Sequence, residues 1–154
     1  MLDLGWIMKD QVFERIRNVL AGDAPLQGVV DALAELPYYD WVGIYLVQGK
    51  ELVLGPWRGA EATEHVRIPI GRGICGAAAA TGRTEVVADV KSDPRYLACF
   101  PTTRSEIVVP IVHEDEVLGE IDIDSNTPAA FGEEDRLFLE EVARLIAQRL
   151  KEAR

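Results

Sequence analysis

The sequence predicts an α+β fold: a mainly antiparallel sheet of about six strands with N- and C-terminal helices packed on it. Three observations carry this reading. Segments of helical period stand at both ends of the chain. Between them, strand-like apolar runs come in pairs joined by short polar turns, as hairpins do. Strands and helices do not alternate regularly, which argues against a parallel sheet built from βαβ units. The chain has 154 residues, one domain's worth, so 1–154 is read as a single domain with 1–24 as its N-terminal helical element. Apolar residues make up 48%, enough for a core and too many for a disordered chain.

The elements follow in order. Residues 8–21 place Val12, Ile16, Val19 and Leu20 on one helical face, and Gly22 stops that helix. Pro25 opens a second helix with Val29, Val30, Leu33 and Leu36 as its apolar set, and Pro37 ends it. Residues 41–47, WVGIYLV, are rich in aromatic and β-branched side chains. Gln48-Gly49-Lys50 turns the chain, 51–54 runs back, and Gly55-Pro56 is expected to break that strand. Residues 65–70 alternate as a third strand, 71–82 form a short glycine- and alanine-rich helix, and 85–88 a short strand. Residues 89–104 show no periodicity, and connections that long inside a domain are commonly functional. Residues 105–112 and 116–124 form a second hairpin around His113-Glu114-Asp115. The last helix, 133–152, puts Leu137, Phe138, Val142, Leu145, Ile146 and Leu150 on one stripe, with Glu133, Glu134 and Asp135 in the first turn, where acids favour the helix dipole.

Charge and cysteine usage exclude several classes. A net charge of -10 and a pI of about 4.6 argue against nucleic acid or an anionic membrane as partner, since both attract basic patches. Two cysteines do not make a disulfide scaffold, there is no CxxC, and His65 and His113 stand alone, so no metal site is expected. The N-terminus lacks the apolar run and cleavage site of a signal peptide, and no run nears the roughly 18 apolar residues of a membrane span. A cytoplasmic setting is expected, where a cysteine pair is more often reactive than structural.

Residues 66–124 concentrate the chemistry. They hold Cys75, Cys99 and three acids set in apolar strand sequence: Glu106, Asp122 and Asp124. Gly71-Arg72-Gly73-Ile74-Cys75-Gly76 matches GxGxxG. The dinucleotide reading fails because Gly82 closes the helix after little more than two turns and the later strands come as hairpins. The glycines instead permit a tight turn. Cys75 falls near the start of the short helix, where backbone N–H groups are expected to lower a thiol's pKa. In the last hairpin, Glu120, Asp122 and Asp124 share one face of a strand. That face is either exposed to solvent or, with Glu106 on the partner strand, lines a concave end of the sheet. Clustered carboxyls there would bind an ammonium group, and mutual repulsion would raise one pKa enough for it to act as an acid.

The run IPIGRGICGAAAATGRTEVVADV, the LAC and SEIVVPIV motifs, and VLGEIDIDS closely resemble the GAF-domain family of free methionine-(R)-sulfoxide reductases. The upstream DWVGIYLV and LGPWRG are also similar, and the resemblance covers roughly residues 25–150. It implies a GAF-like fold and reduction of the free amino acid methionine-(R)-sulfoxide. The family's nucleophile maps to Cys99 and a resolving cysteine to Cys75; its acids map to Glu106, Asp122 and Asp124, and its pocket aromatics to Trp41 and Tyr45. It further implies no cofactor beyond an external, thioredoxin-like dithiol, and a homodimer in which the N-terminal helix is a candidate interface. The chain departs from many members in carrying His65 where a third cysteine stands, and Phe100-Pro101-Thr102-Thr103-Arg104-Ser105 between the nucleophile and Glu106. Cys75 would then have to resolve the sulfenic acid left on Cys99.

The position of Cys75 at a helix start favours it as the nucleophile; the resemblance favours Cys99. Two other readings are carried along: a GAF-type module that holds a small ligand without turning it over, and a thiol switch that forms a disulfide but reduces no sulfoxide.

Overall fold

The computed structural model of the chain describes residues 4–98 and 100–152. Its order is α1 (Leu4–Leu20), α2 (Pro25–Leu33), β1 (Trp41–Gln48), β2 (Glu51–Arg58), β3 (Arg67–Pro69), α3 (Gly73–Thr81), β4 (Glu85–Val87), a 3-10 turn at Val90–Ser92, β5 (Ser105–His113), β6 (Glu116–Ser125) and α4 (Glu133–Glu152). The six strands form one sheet in the order β3-β2-β1-β6-β5-β4, with every neighbouring pair antiparallel. This is the α+β arrangement the hairpin pattern predicts.

Helices cover both faces unequally. α1, α2 and α4 lie on one face and bury Val12, Ile16, Val30, Leu33, Leu139 and Ile146 against the sheet. The shorter α3 lies on the other, with Ile74, Cys75, Ala78 and Ala79 inward. The first helix begins at Leu4, earlier than its apolar period indicates. In α4 the buried stripe runs through Phe138, Leu139, Val142, Ala143, Ile146 and Ala147, while Leu137 is exposed. Small alanines let this helix approach the sheet more closely than a leucine-only stripe would.

The expected break at Gly55-Pro56 does not occur. β2 continues to Arg58 by way of a bulge: Tyr45 pairs with Leu54 and Gly43 with Trp57, so one residue of β1 faces two of β2. Proline is tolerated at a bulge, where its missing N–H leaves no ladder bond unmade. The extra residue has a consequence for the site. Leu54 and Trp57 would otherwise point to opposite faces; the bulge puts both on the face that carries Tyr45 and Trp41.

Candidate active site

Alternation along β5 and β6 builds the site. Glu106 stands opposite Asp124, Val108 opposite Asp122 and Pro110 opposite Glu120. On the other side of β6, Trp41 pairs with Asp124, Gly43 with Asp122 and Tyr45 with Glu120. These residues share one face of the sheet, and α3 lowers Cys75 onto it. All four acids are buried: Glu106 is 5% exposed, Glu120 0%, Asp122 3% and Asp124 2%. The hairpin acids therefore line an interior, and the solvent-face alternative is excluded.

The electrostatics follow from that burial. Desolvation pushes all four carboxyls above the usual carboxylate range, and neighbouring acids push Glu106, Glu120 and Asp124 further. Hydrogen bonding within the cluster raises Glu106 further and works against the burial of Asp122 and Asp124, a direction that favours the shared proton on Glu106. Four acids this close hold fewer than four negative charges at neutral pH. Asp122 Oδ1, Asp124 Oδ1 and both oxygens of Glu120 are buried without a hydrogen-bond partner. Buried acceptors left open in this way are costly, and a donor-only ligand such as an ammonium group would satisfy them.

Cys75 is the point on which the sequence expectation fails. It occupies the third position of α3, as foreseen, but its pKa is raised well above that of an ordinary thiol. Burial is the main cause, and Asp122, Glu120, Glu106 and Asp124 add to it. The helix start cannot offset a buried pocket walled by acids. Burial and the neighbouring acids hold Cys75 as a thiol, which counts against its attacking first. Its Sγ and one oxygen each from Glu106 and Asp122 lie within 4.8 Å of one another. That spacing would suit a small ion as well as proton exchange, although the chain's ligand spacing gave no sign of a metal site. Cys99 lies outside the described residues.

Two spaces meet at this row of acids. A chamber of about 20 Å³ is lined by Cys75, Glu106, Asp122, Tyr45, His65 and Leu97. An open cavity of about 270 Å³ is walled by Trp41, Phe100, Thr103, Asp124 and Asn126. The Trp41 ring is fixed from several sides. It stacks on Trp57 at 6.2 Å, meets Phe100 at 6.0 Å, and donates from Nε1 to the Glu61 carbonyl at 3.1 Å. It also lies over two glycines: a Cβ at Gly43 would come within 2.4 Å of the ring, and one at Gly59 within 2.3 Å. Tyr45 is placed differently. It is buried beside the thiol and donates to the His65 carbonyl at 2.7 Å, so it braces the chamber rather than the open cavity.

Cys75, Glu106, Asp122, Asp124, Trp41 and Tyr45 are thus gathered on one face. Glu120, Trp57, Phe100 and His65 complete the surroundings. The strand period had already set Glu120 on the face of Asp122 and Asp124, whereas sequence reasoning gave Trp57, Phe100 and His65 no role. Trp57 could not have been found, because its facing depends on the bulge, and Phe100 sits in the aperiodic loop.

A larger cleft of about 590 Å³ elsewhere is lined by Arg83, Arg136, Arg144 and Glu140 and holds no thiol. Arg136 is engaged by Glu133 and Glu140, and Arg144 by Glu141.

Comparison with known proteins agrees with this layout. The GAF domain model matches residues 23–150. A free methionine-R-sulfoxide reductase of Saccharomyces cerevisiae is 43% identical over 111 residues, covering 70% of this chain and 61% of the relative. One from Escherichia coli is 40% identical over 109 residues, covering 71% and 63%. The match thus spans less than two thirds of these two relatives' length. Among solved structures, the free methionine-R-sulfoxide reductase of Neisseria meningitidis in complex with its substrate superposes with a TM-score of 0.89 at 39% identity, covering 98% of this chain and 92% of that one. The type II enzyme of Thermoplasma acidophilum gives 0.79 at 40% identity, covering 97% and 96%. With the fold, the paired acids and the aromatic wall all in place, this chain belongs to the GAF-domain family of free methionine-R-sulfoxide reductases.

Proposed function

We propose that this chain reduces free L-methionine-(R)-sulfoxide to methionine. The observation that carries the reading is the pair of open acceptors, Asp122 Oδ1 and Asp124 Oδ1, buried beside a protonated Glu106. An amino acid's ammonium group is the donor such a site lacks. The 270 Å³ cavity gives a single amino acid room, and the Trp41 ring offers an apolar surface to its thioether end.

In this reading the Cys99 thiolate attacks the sulfoxide sulfur. The sulfur–oxygen bond breaks as Glu106 or one of the aspartates supplies a proton. Methionine leaves, and Cys99 carries the oxygen as a sulfenic acid. The Cys75 thiol then displaces that hydroxyl as water, and a Cys75–Cys99 disulfide forms. An external thioredoxin-like dithiol returns both cysteines to thiols and becomes a disulfide itself, so electrons balance without any cofactor. Residues 1–154 work as one unit in a cytoplasmic setting that keeps the thiols reduced, and the N-terminal helix contributes to a homodimer.

The test is methionine release from free L-methionine-(R)-sulfoxide with a dithiol, against the S epimer and Cys99→Ser. Release from the R epimer alone, lost in the variant, supports both substrate and nucleophile. Full activity in Cys99→Ser would sink the assignment of Cys99. No release from either epimer would turn the reading to a ligand-holding module.

A further inference from the structure

We propose that His65 is a positioning residue for the reaction, holding the main chain at Ala98, the residue before Cys99 in the sequence. The inference rests on the reading of Cys99 as the attacking thiol.

The His65 main chain is fastened twice. Its N–H donates to Thr63 Oγ1 at 3.1 Å, and its carbonyl accepts from Tyr45 Oη at 2.7 Å. Thr63 and Tyr45 are both buried, at 7% and 1% exposure, so the anchor is rigid. From that anchor the ring reaches across 33 positions of sequence to the Ala98 carbonyl, with Nε2 at 3.2 Å. A carbonyl only accepts, so this contact needs the proton on Nε2. The same ring walls the small chamber that holds Cys75, Glu106 and Asp122.

On the other side of Cys99, Phe100 meets the Trp41 ring at 6.0 Å; before Ala98 the tethers lie further along the chain. Arg95 forks onto Glu85 at 3.0 and 3.1 Å and onto Asp93; these contacts are exposed, as the His65–Ala98 contact is, but they act three residues before Ala98 and have no buried main-chain anchor like that of His65. Leu97 packs against the first turn of α3, where a Cβ at Gly73 would meet its Cδ1 at 2.8 Å. The His65 contact falls on Ala98, the last described residue before Cys99, and ties that point to the wall of the chamber. A thiol that must meet a sulfoxide sulfur at bonding distance gains rate from such a fixed approach, since small misplacements cost reactions of this kind heavily.

The experiment compares wild type, His65→Ala and His65→Gln in the full chain. One readout is kcat and KM for free L-methionine-(R)-sulfoxide. The other is the rate at which iodoacetamide alkylates Cys99, with Cys75 as internal control. His65→Ala is expected to lower kcat about tenfold with little change in KM, while Cys99 alkylates faster and Cys75 does not. His65→Gln, whose amide N–H can reach the same carbonyl, is expected to recover most of kcat. Wild-type kcat in His65→Ala overturns the proposal, as does faster alkylation of both cysteines, which would report general loosening. Should wild type reduce no sulfoxide, the activity is wrong. The alkylation ratio then still decides the tether: raised for Cys99 alone it stands, unchanged it falls.

Discussion

The two faces of strands β5 and β6 are made from the same backbone and the same register, yet they do opposite things. On the face under α1, α2 and α4, Ile107 pairs with Ile123 and Val109 with Ile121, and none is more than 1% exposed. One residue along, on the face under α3, the pairs are Glu106 with Asp124, Val108 with Asp122 and Pro110 with Glu120. Each fully buried aliphatic on the first face contributes about 1.5–3 kcal/mol. The second face buries carboxyls whose open acceptors count against the folded state. The contrast teaches that the period-2 strand lets one hairpin serve as core and as site at once, with the apolar face supplying the stability that the acid face gives up.

Substitutions can separate the two roles. The largest effect is expected from Glu106→Gln, which keeps the shape but removes the carboxyl: turnover of methionine-(R)-sulfoxide should fall about 100-fold or more, with the urea midpoint unchanged or raised. A variant that loses activity only because it unfolds would break the comparison. Next is Ile123→Ala on the opposite face, one residue from Asp124. It should cost about 2–5 kcal/mol in urea unfolding while kcat, measured well below the melting temperature, stays near that of wild type.

Glu120→Leu should move in the other direction. It removes a buried carboxyl that has no hydrogen-bond partner and should stabilise the chain by about 1–3 kcal/mol at pH 8. The smallest effect sharpens the same point through pH. The folded-state pKa of Glu120 is raised, so its contribution to stability is fully present below the ordinary carboxyl range and is lost as pH climbs through the raised value. Glu106, Asp122 and Asp124 act with the same sign. The urea midpoint of wild type should therefore fall between pH 5 and pH 8, and Glu120→Leu should show a shallower fall. A flat wild-type profile would mean that the acids are not held protonated.

Most of the fold was legible because its signals are local. Hairpin turns, helix stops and the strand period of the LGEIDID run each need only a few neighbouring residues. The placement of Glu106 opposite the β6 acids was legible for the same reason, as both lie in strands joined by one turn, whereas the burial of that face was left open by the sequence. Three features were not. The bulge at Gly55-Pro56 depends on which strand lies beside β2 and how far β3 extends along it. The stripe of α4 was legible at Phe138, Val142 and Ile146, but Leu137 is exposed and Ala143 and Ala147 were missed because alanines carry little hydrophobic signal yet pack well. The Cys75 pKa was misjudged in sign because a helix start is visible in sequence, whereas four acids converging on it from another part of the chain are not.

The setting of Cys75 has one more consequence. Hydrogen peroxide and alkylating agents react with thiolates, and this sulfur is kept as a thiol inside a buried, acid-walled chamber. It is therefore a poor target for indiscriminate oxidants. On the proposed disulfide route, such a sulfur would be spent in a cell under oxidative load only after turnover had made its partner sulfur electrophilic, which would keep reducing equivalents for the substrate.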